Sequence, residues 1–238
     1  RGALRLAAAR TLLKLARCVS LGVGALLGPR GWHRLARVME DADPAVRAAF
    51  ARKLYTELAR PFSIEKRESK RGAPAAFLHA RTLGLPPHYT VVLALAANDA
   101  DKAVTAAARA HLGSLVGRWR AASEKFKEPR LMPEAQLPWL LHLLAHRPAF
   151  GPELDDDPSL PSTQRALDSY LAAVTAGPAP EFDVLVTITN LVKRAHDRFS
   201  TSRAVHVAAD VARKLIEWRG RGCKWSSMPV PNLSLPPL

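Results

Sequence analysis

Two histidines four positions apart, His142 and His146, are the first residues whose type and spacing could do chemistry. On a helix they stand about 40° apart on one face, a spacing that can hold a metal ion. Between them lie Leu143, Leu144 and Ala145, so no glutamate is placed as a general base and no third ligand is close in sequence. With Trp139 and Leu143 beside them, the pair reads as packing or capping histidines. Asp155, Asp156 and Asp157 could in principle supply paired carboxylates. They sit in a proline-rich stretch with nothing to fix their geometry, and adjacent like charges form a solvated surface. Residues 21–28 hold three glycines, but no Lys-Ser/Thr follows and no strand precedes, so they read as an interhelix connection and not a phosphate loop. No nucleophile elbow or dinucleotide fingerprint occurs. The sequence predicts no enzyme, no cofactor and no metal site.

Basic chemistry is more prominent. The chain has 238 residues and a formal charge of +14, and residues 1–81 carry 17 basic against 6 acidic side chains. Such an excess attracts nucleic acid, phosphorylated ligands or acidic protein surfaces, and it speaks to association and not to fold. Lys66, Arg67, Lys70 and Arg71 form a compact run, readable as an import signal, a phosphate contact or a plain solvated loop. Arg47, Arg52 and Lys53 flank the apolar stripe of their own helix and extend the same surface. Those seven residues are the candidate basic partner-contact surface. Tyr55 lies near them in sequence, which gives weak support to single-strand stacking.

The rest of the composition narrows the classes. Two cysteines, Cys18 and Cys223, exclude a disulfide scaffold and a cysteine-rich zinc module. No run of eighteen apolar residues is present, so no membrane-spanning helix is expected. Residues 1–39 hold eight basic side chains and no acid, as a transit peptide would. The start at Arg1 reads as a fragment or processed product, and the helical pattern of the segment speaks against a leader.

The elements that position these residues are helical throughout. Leu4, Ala8, Leu12 and Leu15 form one expected stripe, and Val46, Phe50, Leu54 and Leu58 a second. Val104, Ala108, Leu112, Leu115 and Trp119 form a third; Val184, Ile188, Leu191, Ala195 and Phe199 a fourth; Val207, Val211, Leu215 and Trp218 a fifth. Asp43-Pro44 supplies a cap before a proline at the first helical position. Pro86-Pro87, Met132-Pro133, Gly151-Pro152 and Gly177-Pro178 mark further breaks. Residues 148–161 read as an acidic, proline-rich loop, and residues 220–238 as a disordered tail.

Internal repetition gives the architecture. At an offset of 58, Asp41, Asp43, Val46, Ala48, Ala49 and Leu54 meet Asp99, Asp101, Val104, Ala106, Ala107 and Leu112. At an offset of 42, Leu4 and Arg5 meet Val46 and Arg47, while Ala7 and Leu12 meet Ala49 and Leu54. The shared grammar is an acidic turn, a helix opening on an aliphatic residue, small alanines and then a leucine. That is the second helix of a HEAT-type hairpin, with repeats of about 40–47 residues. The expected fold is all-α, an α-solenoid of HEAT-type helical hairpins over residues 1–219, with residues 60–80 as an insertion.

Several segments resemble one family. The run Leu85-Pro-Pro-His-Tyr-Thr-Val-Val-Leu-Ala-Leu-Ala-Ala-Asn-Asp99 is similar to a helix of the Pds-five sister-chromatid cohesion factors. The strongest resemblance is Leu137-Pro-Trp-Leu-Leu-His-Leu-Leu-Ala-His-Arg-Pro-Ala-Phe150, where the family carries a proline-aromatic-hydrophobic-His-Leu-Leu-Ala-His segment ending in a proline turn. Asp43 to Arg47 with Phe50, Lys53 and Leu54 resembles the preceding repeat, and residues 205–216 a closing helix. The similarity covers most of residues 36–150 and part of the last forty, and is poor over 60–80 and 151–180. It implies part of a longer array in a non-enzymatic, nuclear, chromatin-associated regulator. The implied partners are cohesin subunits, especially the kleisin, and the factors that release or establish cohesion; DNA is a further candidate and a membrane is not. The matching motifs are architectural, so they bring no contact residues with them. Two rivals remain: a nucleic-acid-binding solenoid marked by steep salt dependence, and a HEAT-like DNA-repair glycosylase, in which Trp119, Trp139 and Trp218 would converge on an acid.

Overall fold

The computed structural model describes residues 2–17, 23–69, 84–148, 150, 159–177, 181–195 and 203–221. Every regular element among them is helical, as expected. They fall into two compact units, Arg1–Arg118 and Trp119–Leu238. The fold is all-α, built of HEAT-type helical hairpins.

The first unit begins with α1 (Gly2–Ala16) and α2 (Val23–Ala36), which runs into a 3₁₀ turn at Arg37–Glu40. Then come α3 (Pro44–Ser69), a 3₁₀ helix at Pro87–Asn98, and the part of α4 (Lys102–Phe126) up to Arg118. Two hairpins result: α2 with its 3₁₀ turn leads into α3, and Pro87–Asn98 leads into α4. In α3 the stripe Val46, Phe50, Leu54 and Leu58 is buried, and in α4 Val104, Ala108, Leu112, Leu115 and Trp119 are buried. The inner helix before α4 buries every residue from Tyr89 to Ala96, which its all-round apolar sequence requires.

Asp43 and Asp101 cap the two outer helices in the same way. Asp43 Oδ1 accepts the Ala45 N–H at 2.9 Å, and Asp101 Oδ1 accepts the Ala103 N–H at 2.8 Å. Each satisfies a donor that the first helical turn leaves without an intrahelical partner.

Residues 60–69, the first part of the expected insertion, continue α3, which carries Pro61 in its interior. Residues 70–83 lie outside the described residues. A chain segment returns beside that proline at Gly84, where an added Cβ would come within 2.2 Å of the Pro61 Cγ. Glycine is there for close approach. Gly84→Ala is expected to destabilise the first unit by about 1–3 kcal/mol through overpacking, read as a lower denaturation midpoint; an unchanged midpoint would contradict this contact.

His88 opens the inner helix between Trp32, at 6.0 Å between ring centroids, and Tyr89, at 4.7 Å. Burial pushes its imidazole down to about 3 from the ordinary 6.5. The neutral ring is therefore the folded form, and the unfolded chain binds the proton first as pH falls. The His88 contribution to stability is present in full above about pH 6.5 and is lost progressively toward pH 3. His88→Gln should flatten the stability–pH curve over that window, measured by denaturation at each pH; a parallel curve would refute the assignment.

The second unit contains the end of α4, short 3₁₀ turns at Pro129–Leu131 and Glu134–Gln136, and α5 (Leu137–Ala145). It continues through α6 (Leu160–Val174), α7 (Phe182–Arg194) and α8 (Ala204–Arg219). Helix α5 is buried at Leu137, Pro138 and all of Leu140–Ala145, and α8 packs on α5, α6 and α7. Arg120 clasps the lead-in: it pairs with the buried Glu134 and donates from Nη2 to the Val174 carbonyl at 2.7 Å. Tyr170 donates its hydroxyl to the Pro133 carbonyl at 2.6 Å. Burial pushes the Glu134 carboxyl up despite Arg120.

Three sequence expectations shift. In α1 the buried residues are Ala9, Leu13 and Ala16, while Leu4 is 75% exposed. In α8 the inner face is Val205, Ala208, Ala209, Val211, Ala212 and Ile216, and Trp218 stands outward. In α8 the alanines face inward and admit neighbouring helices closely, whereas in α1 Ala3, Ala7 and Ala8 face outward with Leu4, so large residues alone do not mark the buried face. Residues 23–28 are helical and belong to α2, so the glycine-containing stretch is not wholly a connection. Asp155–Asp157, Phe199 and residues 222–238 lie outside the described residues.

Candidate interaction surface

Successive hairpins of the first unit are joined by arginine–aspartate forks. Arg5 of α1 donates Nε to Asp41 Oδ2 at 2.6 Å and Nη2 to Asp41 Oδ1 at 2.7 Å. Arg47, the corresponding residue of α3, does the same to Asp99: Nε to Oδ2 at 2.6 Å and Nη2 to Oδ1 at 2.7 Å. Its Nη1 also reaches the Asp41 carbonyl at 2.6 Å. Each aspartate accepts the backbone N–H two residues on, at 2.9 Å for Asp43 and 2.8 Å for Asp101. One carboxylate thus fixes its own turn and receives the preceding helix.

Hydrogen bonding from Arg5 holds the Asp41 carboxyl at about 2, and Arg47 lowers that of Asp99 likewise. At the next equivalent position stands Thr105, whose hydroxyl donates to the Ala96 carbonyl at 3.0 Å and closes the turn by itself. The fork is not repeated from Thr105.

This geometry sorts the seven candidate residues. Arg47 is committed to the fork, with only 14% of its side chain exposed. Lys53 pairs with Glu57, a buried carboxylate that also accepts from Arg17 Nη1 at 2.8 Å. Burial would raise the Glu57 carboxyl, but Lys53 and Arg17 bring it below its ordinary value. Arg52, Lys66 and Arg67 are exposed on α3. Lys66 and Arg67 lie on the last turn of the helix and not in a loop. Lys70 and Arg71 lie outside the described residues. Three of the seven are therefore exposed on one helix.

Beside them runs a seam between α3 and α4. Tyr55 stacks on His111 with ring centroids 4.1 Å apart and planes 12° from parallel. The Arg118 guanidinium lies 6.0 Å from the ring centroids of both Tyr55 and Phe62. The Tyr55 hydroxyl meets Ser114 Oγ at 3.4 Å and Arg118 Nη2 at 3.5 Å. Sequence reading saw Tyr55 but not its partner, because His111 is 56 positions away. The fork was missed too, although both repeat offsets, read together, place an arginine before each paired aspartate.

The other candidates gather less. His142 and His146 meet edge to face at 4.3 Å, with His142 buried, and no group of three His, Cys, Asp or Glu adjoins among the described residues. Trp119 is buried in α4, whereas Trp218 is 59% exposed. Trp218 lines an open groove of about 560 Å³ with Pro161, Gln164, Arg165, Asp168 and Leu215, and neither Trp119 nor Trp139 lines it. The Asp168 carboxylate there is engaged by Arg219 at 2.6 Å. No helix among the described residues is long and apolar enough to cross a membrane.

No curated protein matches the chain closely enough to count as a relative. A family does: stacked hairpins, the acidic turns and the buried Leu-Leu-Ala-His helix agree with a match to the family described as sister chromatid cohesion protein PDS5, over residues 1–237. The chain belongs to the PDS5 family of sister chromatid cohesion proteins.

Proposed function

We propose that this chain is a non-enzymatic scaffold that regulates sister-chromatid cohesion through protein–protein contacts. The family places it in sister chromatid cohesion, on chromosomes. The proposal adds the means: a repeat array over residues 1–219, followed by a tail, engages cohesin subunits, the kleisin foremost, and the factors that release or establish cohesion, in the nucleus. One observation carries it, the family match across residues 1–237. The forks support the scaffold reading, since Asp41 and Asp99 are spent on holding hairpins in register and not on reacting groups.

The test is rapid depletion of the protein in dividing cells, with sister separation scored on chromosome spreads. Altered pairing, restored by the intact chain, is the expected result. Unaltered pairing would remove the functional reading while leaving the fold untouched.

A further inference from the structure

We propose that the outward face of α3 and α4 in the first unit binds the phosphate backbone of duplex DNA. This goes beyond the cohesion reading, since it gives the chain a second kind of contact that does not depend on cohesin.

Two lines of cations carry it. On α3, Arg52, Thr56, Arg60, Ser63 and Arg67 follow one another at helical spacing and all are exposed, with Lys66 beside them. That ridge runs for about 22 Å. On α4, Lys102 and Arg109 share one side of the helix and are exposed as well. None of the four cations on α3 or the two on α4 forms an ion pair with a described residue.

The acids stand elsewhere. Between Ala51 and Arg67 they are Glu57, buried between Lys53 and Arg17, and Glu65, half-buried and about 160° around the helix from Arg67. From Lys102 to Arg118, α4 has none. Glu40, Asp41, Asp43, Asp99 and Asp101 gather at the turns that precede the two helices, the aspartates engaged in forks and caps.

The ground between the two lines is low. His111 turns toward Tyr55 of α3. Arg109 therefore points away from α3, about 160° around α4 from His111, and Ala107 and Ala110 face outward between them. Both alanines are exposed, and Arg118 lies half-buried in the seam against Tyr55 and Phe62. Cations thus border both sides of a strip with no bulky side chain to hold a ligand off.

A ligand charged on both sides fits such a strip. A duplex carries phosphates on two strands, one per about 1.7 Å of axis, and arginine and lysine are the groups that position it by its backbone. A protein interface relies on aromatic and aliphatic anchors at its centre, and neither α3 nor the first-unit part of α4 exposes a large apolar side chain. A single strand would need an open stacking platform, whereas Tyr55 is already stacked on His111 and bonded through its hydroxyl. The family acts on chromosomes, where the duplex is DNA.

The probe is a labelled DNA duplex of mixed sequence, titrated into the full chain by anisotropy at a series of salt concentrations. Binding is expected to weaken steeply with salt. R52A/R67A on α3 and K102A/R109A on α4 should each lower the slope of log affinity against log salt by about 2. R165A/K214A removes the same charge from α6 and α8 of the second unit and should leave that slope unchanged. Ala110→Glu sets a carboxylate between the two lines and should weaken the duplex, with the helical content unchanged by circular dichroism. Absence of duplex binding at low salt, an equal loss in R165A/K214A, or an unchanged slope in K102A/R109A would overturn the proposal. So would polyglutamate of matched charge displacing the duplex as well as unlabelled DNA does, since the face would then be selecting carboxylates. Each of these outcomes is independent of whether depletion alters sister pairing.

Discussion

Replacing Asp99 by alanine is expected to destabilise the first unit by about 3 kcal/mol. The side chain is 1% exposed, and its loss strands the Arg47 guanidinium, itself only 14% exposed, between two hairpins. It also removes the acceptor for the Asp101 N–H, so the turn loses its local brace in the same step. Arg47→Met should be comparably damaging, because it leaves a buried carboxylate without its fork. The double variant should cost clearly less than the sum of the singles, as expected for residues that act as one unit. Amide exchange in α3 and α4, with chemical denaturation, would measure all three. Additive effects would mean that the fork contributes nothing as a pair.

The same forks set an acid limit. Asp41 titrates at about 2 when folded against an ordinary 3.8. Its contribution is present in full above about pH 4 and is lost as pH falls through about 2. Asp41→Asn would remove that part of the acid slope.

The second large effect distinguishes two faces of one helix. Leu13→Ala is expected to cost about 2–5 kcal/mol, since the side chain is fully buried and its removal leaves a cavity. Leu4→Ala, nine residues earlier on the same helix and 75% exposed, should change stability by less than about 0.5 kcal/mol. Midpoints of denaturation for the two variants decide the matter. Comparable losses would return Leu4 to the core and undo the orientation of α1.

That contrast shows where the sequence speaks and where it falls silent. The α3 and α4 stripes were legible because valine, phenylalanine and leucine recur there at helical spacing, with charged residues on the far side of α3 and small ones on the far side of α4. In α1 alanines occupy both faces and in α8 they fill the buried one, so the spacing of large residues alone does not mark the inner face. The acidic turns were legible as caps from Asp43-Pro44. Their second duty was not, because it joins Arg47 to Asp99 across 52 positions. The basic surface was only half legible: composition marks the cations, but counter-charges decide which are offered outward. Glu57 takes Lys53 and Asp99 takes Arg47, leaving Arg52, Lys66 and Arg67. The Tyr55–His111 stack depends on the register between α3 and α4, which no local pattern specifies.

The central claim is that this chain works in cohesion by direct contact with cohesin. It is tested most directly by recovering the tagged chain from nuclear extract treated with nuclease and identifying what remains bound. The account predicts that cohesin subunits, the kleisin among them, stay with the chain after the DNA is digested. Cohesin that is absent, or that departs with the DNA, would contradict it.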